Sequence, residues 1–379
     1  MYRLAKNFLK SAIRAGSTGR PRASALTATI VCSVALVAGV LPVRADEDDR
    51  PLRIMTQNMD PGSRGQEIAA AGNDPAKFLA AVNATVVDIL ATKPAERATA
   101  LAHEIAARRP DLVGLQAAGI LKTGSAPNTA TVKDDQLTEL IAALAALGEH
   151  YEVVGVFPNF DAVINVPGLF AEWIVHDSII MRTNPGEPHA TILNVDAASF
   201  QQNISFPTPL GLFTNRRGWV LADVMVRGRT FRLATTHLDV NGALNGIELA
   251  QVEELIAKAG NTAFPVVFVG DFNAAADVPS EPTHAVYQKL IDAGFVDGWK
   301  RLHSTDPGFT CCQDPGVPNS PSTLNVRIDL VMLRGLIGIE DIAVVGNQLS
   351  DRSNPSGLWP SSHAGLAATL DLSGSRDRD

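Results

Sequence analysis

Apolar positions along this chain change period repeatedly. From residue 51 onward, runs with strand character alternate with Ala-rich segments whose apolar residues recur every three or four positions, the pattern of a mixed α/β fold. The first strand is "LRIMTQN" (52–58), and "ERATALAHEIAARR" (96–109) predicts a helix that delivers the chain to a buried strand, "DLVGLQ" (111–116). A helix over 134–148 stops at Gly148, a residue suited to the left-handed turn at a helix C-terminus. Strands "YEVVGVF" (151–157) and "DSIIMRT" (177–183) follow. "GWVLADVMV" (218–226), the turn Arg227-Gly228-Arg229 and "TFRLATTHL" (230–238) predict an antiparallel hairpin.

A helix at about 243–259 leads to "FPVVFVGDFN" (264–273), so continuously apolar that burial on both faces is expected. A short helix at 283–293 and a loop rich in Pro, Gly and Cys at 306–323 come next. The closing strands are "RIDLVML", "IEDIAVV" and "AGLAATL". The strand-helix order occurs loosely twice, with no internal repeat and no linker.

The first 45 residues follow another pattern. A basic stretch containing Arg3, Lys6, Lys10, Arg14, Arg20 and Arg22 precedes the apolar run "ALTATIVCSVALVAGVL", then Pro42 and Val43-Arg44-Ala45. This is the three-part pattern of a secretory signal peptide, with cleavage expected after Ala45. The competing reading is an uncleaved membrane anchor, since the run is nearly long enough to span a bilayer. Pro42 and the acidic residues Asp46 to Asp49 favour cleavage, and with it a secreted or periplasmic protein with no stable membrane insertion. Residues 46–379 then form one domain. The leader carries seven of the 32 Lys and Arg and none of the 40 Asp and Glu, so the mature chain has 25 against 40 and a net charge of −15. That charge disfavours sequence-independent nucleic-acid binding, which rests on Lys and Arg displacing phosphate counterions. A local basic groove on an acidic surface remains compatible with it.

Cys311 and Cys312 are adjacent in "PGFTCCQDPG". They are expected either to form a strained, reducible vicinal disulfide or to remain free thiols, and their spacing offers no zinc site.

Polar residues that end strands carry the candidate chemistry. Asp271 and Asn273 close "VVFVGDFN" two positions apart, so in an extended chain both point the same way, and Gly270 permits a sharp exit. Taken alone, a D-x-N of this kind is an ordinary Asx-turn. Asn58 ends "RIMTQN" and His237 lies in "TTHL"; either alone is a common turn residue. Asp329 in "RIDL" and His363 in "SSHAG" complete the set. His176, Asp177, Asp223 and Asp239 beside strands, His103 in a helix and His303 near the Cys loop are expected to be structural. Arg216 and Arg217 are within reach of a phosphate in principle but are expected to cap the hairpin's surface.

Together with "RPDLVGLQ" (109–116), these segments resemble, in order, those of the endonuclease/exonuclease/phosphatase superfamily, whose best-known shape is DNase I-like. The resemblance implies a four-layer α/β/β/α sandwich with two packed sheets and the active site at one edge. It also implies that Asp271 positions or activates water and that Asn273 donates to a phosphate oxygen. His237 would bind a nonbridging oxygen or assist the leaving group, Asp329 would orient and support His363, and Asn58 would contact metal or phosphate. Two positions depart from the family pattern: "LQE" reads "LQA", putting Ala117 at a metal-binding Glu, and "SDH" reads "SSH", putting Ser362 at an Asp.

Mg²⁺ (or Mn²⁺ or Ca²⁺) is therefore expected to bind weakly, since it prefers one or two carboxylates with water and phosphate. If "QNMD" stays extended, Asp60 projects beside Asn58 and partly replaces the lost Glu; the plainer reading is a turn Asp before Pro61-Gly62. The implied function is phosphoester hydrolysis on a small phosphodiester, a lipid headgroup or nucleic acid. The alternative is a catalytically impaired binder of a phosphorylated ligand or a protein. Oligomeric state is left open.

Overall fold

A computed structural model describes residues 51–184, 190–240 and 246–372, so the leader expected over 1–45 lies outside the described residues. Two sheets carry the fold. The first contains β1 (Leu52–Asn58), β2 (Leu112–Gly124), β3 (Thr131–Asp135), β4 (Tyr151–Val166) and β5 (Leu169–Arg182), with β14 (Gly338–Val345) and β15 (Gly365–Asp371). Its order is β14-β15-β1-β2-β5-β4, with β3 pairing the far end of β2. The second contains β6 (Thr191–Ser199), β9 (Gly218–Val226), β10 (Arg229–His237), β11 (Val266–Asp271), β12 (Val296–Asp297) and β13 (Asp329–Arg334), in the order β12-β13-β11-β10-β9-β6. A separate hairpin, β7 (Ile204–Thr208) with β8 (Gly211–Asn215), stands off both sheets.

The inner faces of the sheets pack on each other through Leu52, Ile54, Leu112, Val220, Phe231, Leu233, Val267, Val269, Val331 and Leu366, all nearly inaccessible. Seven α-helices and two short 3₁₀ turns, Pro127–Thr129 and Leu349–Asp351, complete the described elements. Short helices α1 (Gln66–Ala71) and α7 (Gly298–Leu302) flank the longer α2 (Pro75–Ala91), α3 (Pro94–Arg108), α4 (Gln136–Ala146), α5 (Ile247–Lys258) and α6 (His284–Asp292). Leu101, Ile105, Leu140 and Leu144 of α3 and α4 cover the outer face of the first sheet. Val252, Leu255 and Leu290 of α5 and α6 cover that of the second. The result is the expected α/β/β/α sandwich, in which β11 is buried at every position because helices lie on one side and the other sheet on the opposite side.

Several elements differ from the expectation. β2 runs on to Gly124 through a bulge between Leu115 and Ala118, and β4 and β5 are twice the predicted length. α2 was not predicted, although Asp74 accepts the N–H groups of Ala76 and Lys77 as its N-cap and Pro75 follows, a strong local start signal.

Candidate active site

Ladder register builds the site. β10 pairs parallel to β11 and β11 antiparallel to β13, which sets His237 opposite Asp271 and Asp271 opposite Asp329 in one row across the second sheet. In the first sheet the parallel pair β1 and β2 sets Asn58 beside Gln116. The two rows meet at the same edge, where Asn58 Nδ2 donates to Asp271 Oδ2 at 2.9 Å. Gly270 sits at φ +142, and a Cβ there would overlap the Thr236 carbonyl oxygen, so only Gly lets β11 lie this close to β10 as it delivers Asp271.

His363 arrives on the loop before β15. Its Nδ1 is 2.9 Å from Asp329 Oδ2 and 3.8 Å from Asp271 Oδ2. Burial alone would lower the imidazole's pKa, but Asp329 and Asp271 outweigh it and lift it to about 9. His363 is therefore an imidazolium at neutral pH, a donor rather than a base. Burial pushes Asp329 up to about 6, against the pull of His363. His237 goes the other way. Its Nε2 is 3.4 Å from Asp271 Oδ2, yet burial and the Arg217 guanidinium bring it down to about 3, so it is a neutral ring. Burial would raise Asp271, but His237, His363 and hydrogen bonds from Asn273 N–H and Asn58 more than offset this and lower it. It stays a carboxylate.

Asn273 follows at φ 50, its backbone N–H on Asp271 Oδ1 and its side-chain Nδ2 on the Leu238 carbonyl oxygen. The donor expected to face a phosphate is thus turned onto the backbone, and the amide that projects with Asp271 in an extended chain does not do so here.

Asp60 also departs from the extended reading: β1 ends at Asn58, and Asp60 turns at φ 54 with its N–H on Asn58 Oδ1. The turn nonetheless leaves its carboxylate in the site. Oδ1 accepts Gly62 N–H at 2.9 Å and Oδ2 accepts Ser362 N–H at 3.3 Å, spanning toward one of the two altered positions. The buried guanidinium of Arg97, on α3, lies 3.9 Å from Asp60 Oδ2 and donates to the carbonyls of Met59, Asp60 and Pro360. Burial would raise Asp60; Arg97 and the hydrogen bonds outweigh it and hold it below the usual carboxylate range.

Ala117 occupies the β2 bulge at φ 55, with its N–H on Asp177 Oδ1 at 2.9 Å. A non-Gly residue here is costly, by roughly 1–2 kcal/mol, and such strain concentrates at functional sites. Asp60, Ala117 and Asn273 are three left-handed non-Gly residues around one cavity.

Three residues expected to be structural belong to the site. Asp177 Oδ1 is 4.0 Å from His237 Nδ1, and burial raises its pKa to about 6. Asp239, buried, lines the cavity beside Arg217, 3.7 Å away. Arg217 lines it too rather than capping the hairpin surface. No local motif marks these residues: Asp177 lies within β5 of the first sheet, and Arg217 and Asp239 lie just outside β9 and β10 of the second.

The cysteines of the loop also arrive here. Cys311 and Cys312 are joined as a vicinal disulfide, and Cys311 Sγ is 3.7 Å from His363 Nε2. With His363 they place ligand atoms within 4.8 Å of one another, a group that as thiols could hold a metal and that sequence spacing conceals. Asp271, Asp329 and His363 form a second such group.

No protein-family model matches the sequence, and no curated protein matches it significantly. Solved structures do match the fold. An endonuclease/exonuclease/phosphatase family protein from Leptotrichia buccalis gives a TM-score of 0.54 at 14% identity, over 85% of this chain and 100% of that one. One from Bacteroides thetaiotaomicron gives 0.53 at 16% identity, over 87% and 99%. The human Nocturnin catalytic domain, with a bound sulfate anion, gives 0.50 at 16%, over 85% and 94%. The chain has the fold of the endonuclease/exonuclease/phosphatase superfamily. At these identities the likeness is one of architecture.

Proposed function

We propose that the chain is an exported phosphoester hydrolase in which water attacks phosphorus, assisted by a weakly held divalent cation. The observation that carries the reading is the convergence of Asn58, His237, Asp271, Asp329 and His363, from both sheets, on one point. Export rests on the leader sequence alone.

Asp271 orients the attacking water through its free lone pairs and keeps its charge at neutral pH. His363, held as an imidazolium by Asp329, donates to a phosphoryl oxygen as negative charge develops there, the preorganised stabilisation that lowers such barriers. His237 supplies a neutral ring beside the same oxygen, and Arg217 adds positive charge at the mouth. Asn273 acts by fixing Asp271 through its N–H and the strand exit through Leu238. The oxygens of Asp60, Asn58 and Asp271 are hard donors suited to Mg²⁺, Mn²⁺ or Ca²⁺, with two carboxylates among them. A cation there would supply Lewis-acid polarisation of the phosphoryl group. Ala117, Ser362 and the Arg97 counter-charge on Asp60 make its affinity low.

The test is hydrolysis of bis-p-nitrophenyl phosphate by the full chain with EDTA, Mg²⁺, Mn²⁺ or Ca²⁺, beside the Ala117→Glu/Ser362→Asp double variant. Turnover abolished by EDTA supports the reading. Silence in the native chain with turnover in the double variant supports a second reading, a phosphoester-binding member of the fold. The strained bulge at Ala117, which carries no ligand side chain, favours that alternative.

A further inference from the structure

The phosphoryl-binding residues line only one end of a cavity of about 640 Å³, within the size range of small-molecule sites. His237, Asp271, Asn273 and His363 stand at that end. The remainder is mostly apolar, formed where α1 and α2, β4, β5 and the β7–β8 hairpin meet, with Gln66, Asp161 and Thr208 among its polar members. Phe160 packs edge-on against Trp173 at 4.9 Å and Phe213 at 5.5 Å, and Phe213 lies 5.0 Å from Phe206. These rings form a continuous aromatic wall leading away from His363. Trp173 is buried and contributes its ring to this wall.

The rim is apolar too. Leu210, Leu212, Val163 and Val240 line the cavity and are exposed, Leu212 by 73%. Large side chains left in water around a cleft mark a site that something covers. Charge narrows the occupant: the cations at the phosphoryl end, Arg64 and Arg217, suit one phosphate, whereas the walls beyond offer no basic track for the successive phosphates of a nucleic acid.

We infer that this cleft is the hydrocarbon subsite of the enzyme, and that the substrate is an amphiphilic phosphoester whose phosphate sits at Asp271 and His363 while its alkyl or acyl chain lies along Phe160, Trp173, Phe206 and Phe213. The inference rests on the hydrolase reading for the orientation of the phosphate, but the cleft itself is tested by binding. Leu210 and Leu212, at the hairpin tip, form the mouth through which the chain enters.

The experiment is calorimetric titration of the full chain with methyl-, butyl- and octylphosphonate, which cannot be hydrolysed at the P–C bond, each below its micellar concentration. Affinity is expected to rise by about fourfold per methylene, the change that full burial of one CH₂ gives, until the cleft is filled. In Phe206→Ser the gradient should flatten while methylphosphonate binding stays unchanged; Leu212→Ser, at an exposed position that does not endanger folding, should reduce it in part. A flat chain-length series in the native protein overturns the inference, whatever the protein does to bis-p-nitrophenyl phosphate. A steep series without any hydrolysis keeps the cleft and sinks the hydrolase reading alone. A parallel sedimentation with phosphatidylcholine vesicles separates the sources of the amphiphile. Association lost in Leu210→Ser/Leu212→Ser identifies uptake from a bilayer, and no association beside a steep phosphonate series identifies uptake of the free molecule.

Discussion

His237, Asp271 and Asp329 stand in one row of a β-ladder, whereas Asp60, Ala117 and Ser362 sit on a turn, a bulge and a loop. The first group has the polar residues the resemblance implies; the second holds the two departures, Ala117 and Ser362, and Asp60, the candidate replacement. The difference has a physical basis. A ladder row is fixed by backbone hydrogen bonds, with Asp271 paired on both sides, to His237 and to Asp329, so its members are set relative to one another regardless of side chain. The turn, bulge and loop depend on their own local contacts and on Arg97, whose single guanidinium reaches the carbonyls of Met59, Asp60 and Pro360. The ladder row is therefore set by the sheet itself, whereas the turn, bulge and loop are set by individual hydrogen bonds, among which those of Arg97 reach farthest.

Removing the Arg97 guanidinium should produce the largest effect. Arg97→Ala removes the donor to the Met59, Asp60 and Pro360 carbonyls and the counter-charge of the half-buried Asp60, and is expected to cost about 3 kcal/mol, the low end for breaking a buried pair. Urea denaturation reads it, and a loss below 1 kcal/mol would show that the two groups do not differ in this way. Within the ladder row, Asp271→Asn, and on its neighbouring loop His363→Ala, should each lower kcat by about 100- to 1,000-fold at unchanged fold, as loss of a preorganised electrostatic group does. Steady-state kinetics at neutral pH decide it, and unchanged turnover would sink the assignment. Asp60→Asn should weaken cation affinity by about 10- to 100-fold and leave the folded state intact, measured by titrating Mn²⁺ against turnover or by Mn²⁺ electron paramagnetic resonance. Equal affinity in the variant would remove Asp60 from the ligand set.

The last effect is in pH. His363 has a folded pKa of about 9, raised from 6.5, so the folded state binds its proton more tightly than the unfolded chain. Its contribution to stability is complete below about pH 6.5 and is lost as pH rises through about 9. Thermal denaturation between pH 6.5 and 10 should show a fall in Tm that Asp329→Asn makes shallower, because the variant loses the charge that raises the imidazole. A variant with the same slope would mean that Asp329 does not set that pKa.

Much of the fold is legible in the sequence where one physical signal acts alone. β1, β9, β10 and β11 show clean apolar runs bounded by polar ends, and α3 and α4 show clean helical spacing. β7 and β8 do not: β7 alternates but over only five residues, one of them Pro207, and β8 shows no alternation, with Leu212 exposed. The strand-end polar residues of the site are readable as short motifs. Asp177, Asp239 and Arg217 are not, because each looks like an ordinary polar residue until three strands are brought to one edge. The turn at Asp60 is a different case: the sequence names the residue, but the left-handed backbone that aims it depends on hydrogen bonds to Asn58, Gly62 and Ser362.

Beneath the site the sheets approach closely at Gly114, where a Cβ would lie 2.7 Å from Val269 and 2.8 Å from Thr235 Oγ1. Two residues farther along the same strand, Gln116 Nε2 donates across the gap to Thr235 Oγ1 at 2.8 Å. This spacing acts as a gauge block for descent with change. Any lineage that enlarges residue 114 drives the sheets apart and separates Asn58 from Asp271, while substitutions in the loops above leave that distance untouched. New ligands for this scaffold are thus reached through its rim, and its floor is where sequence drift is punished.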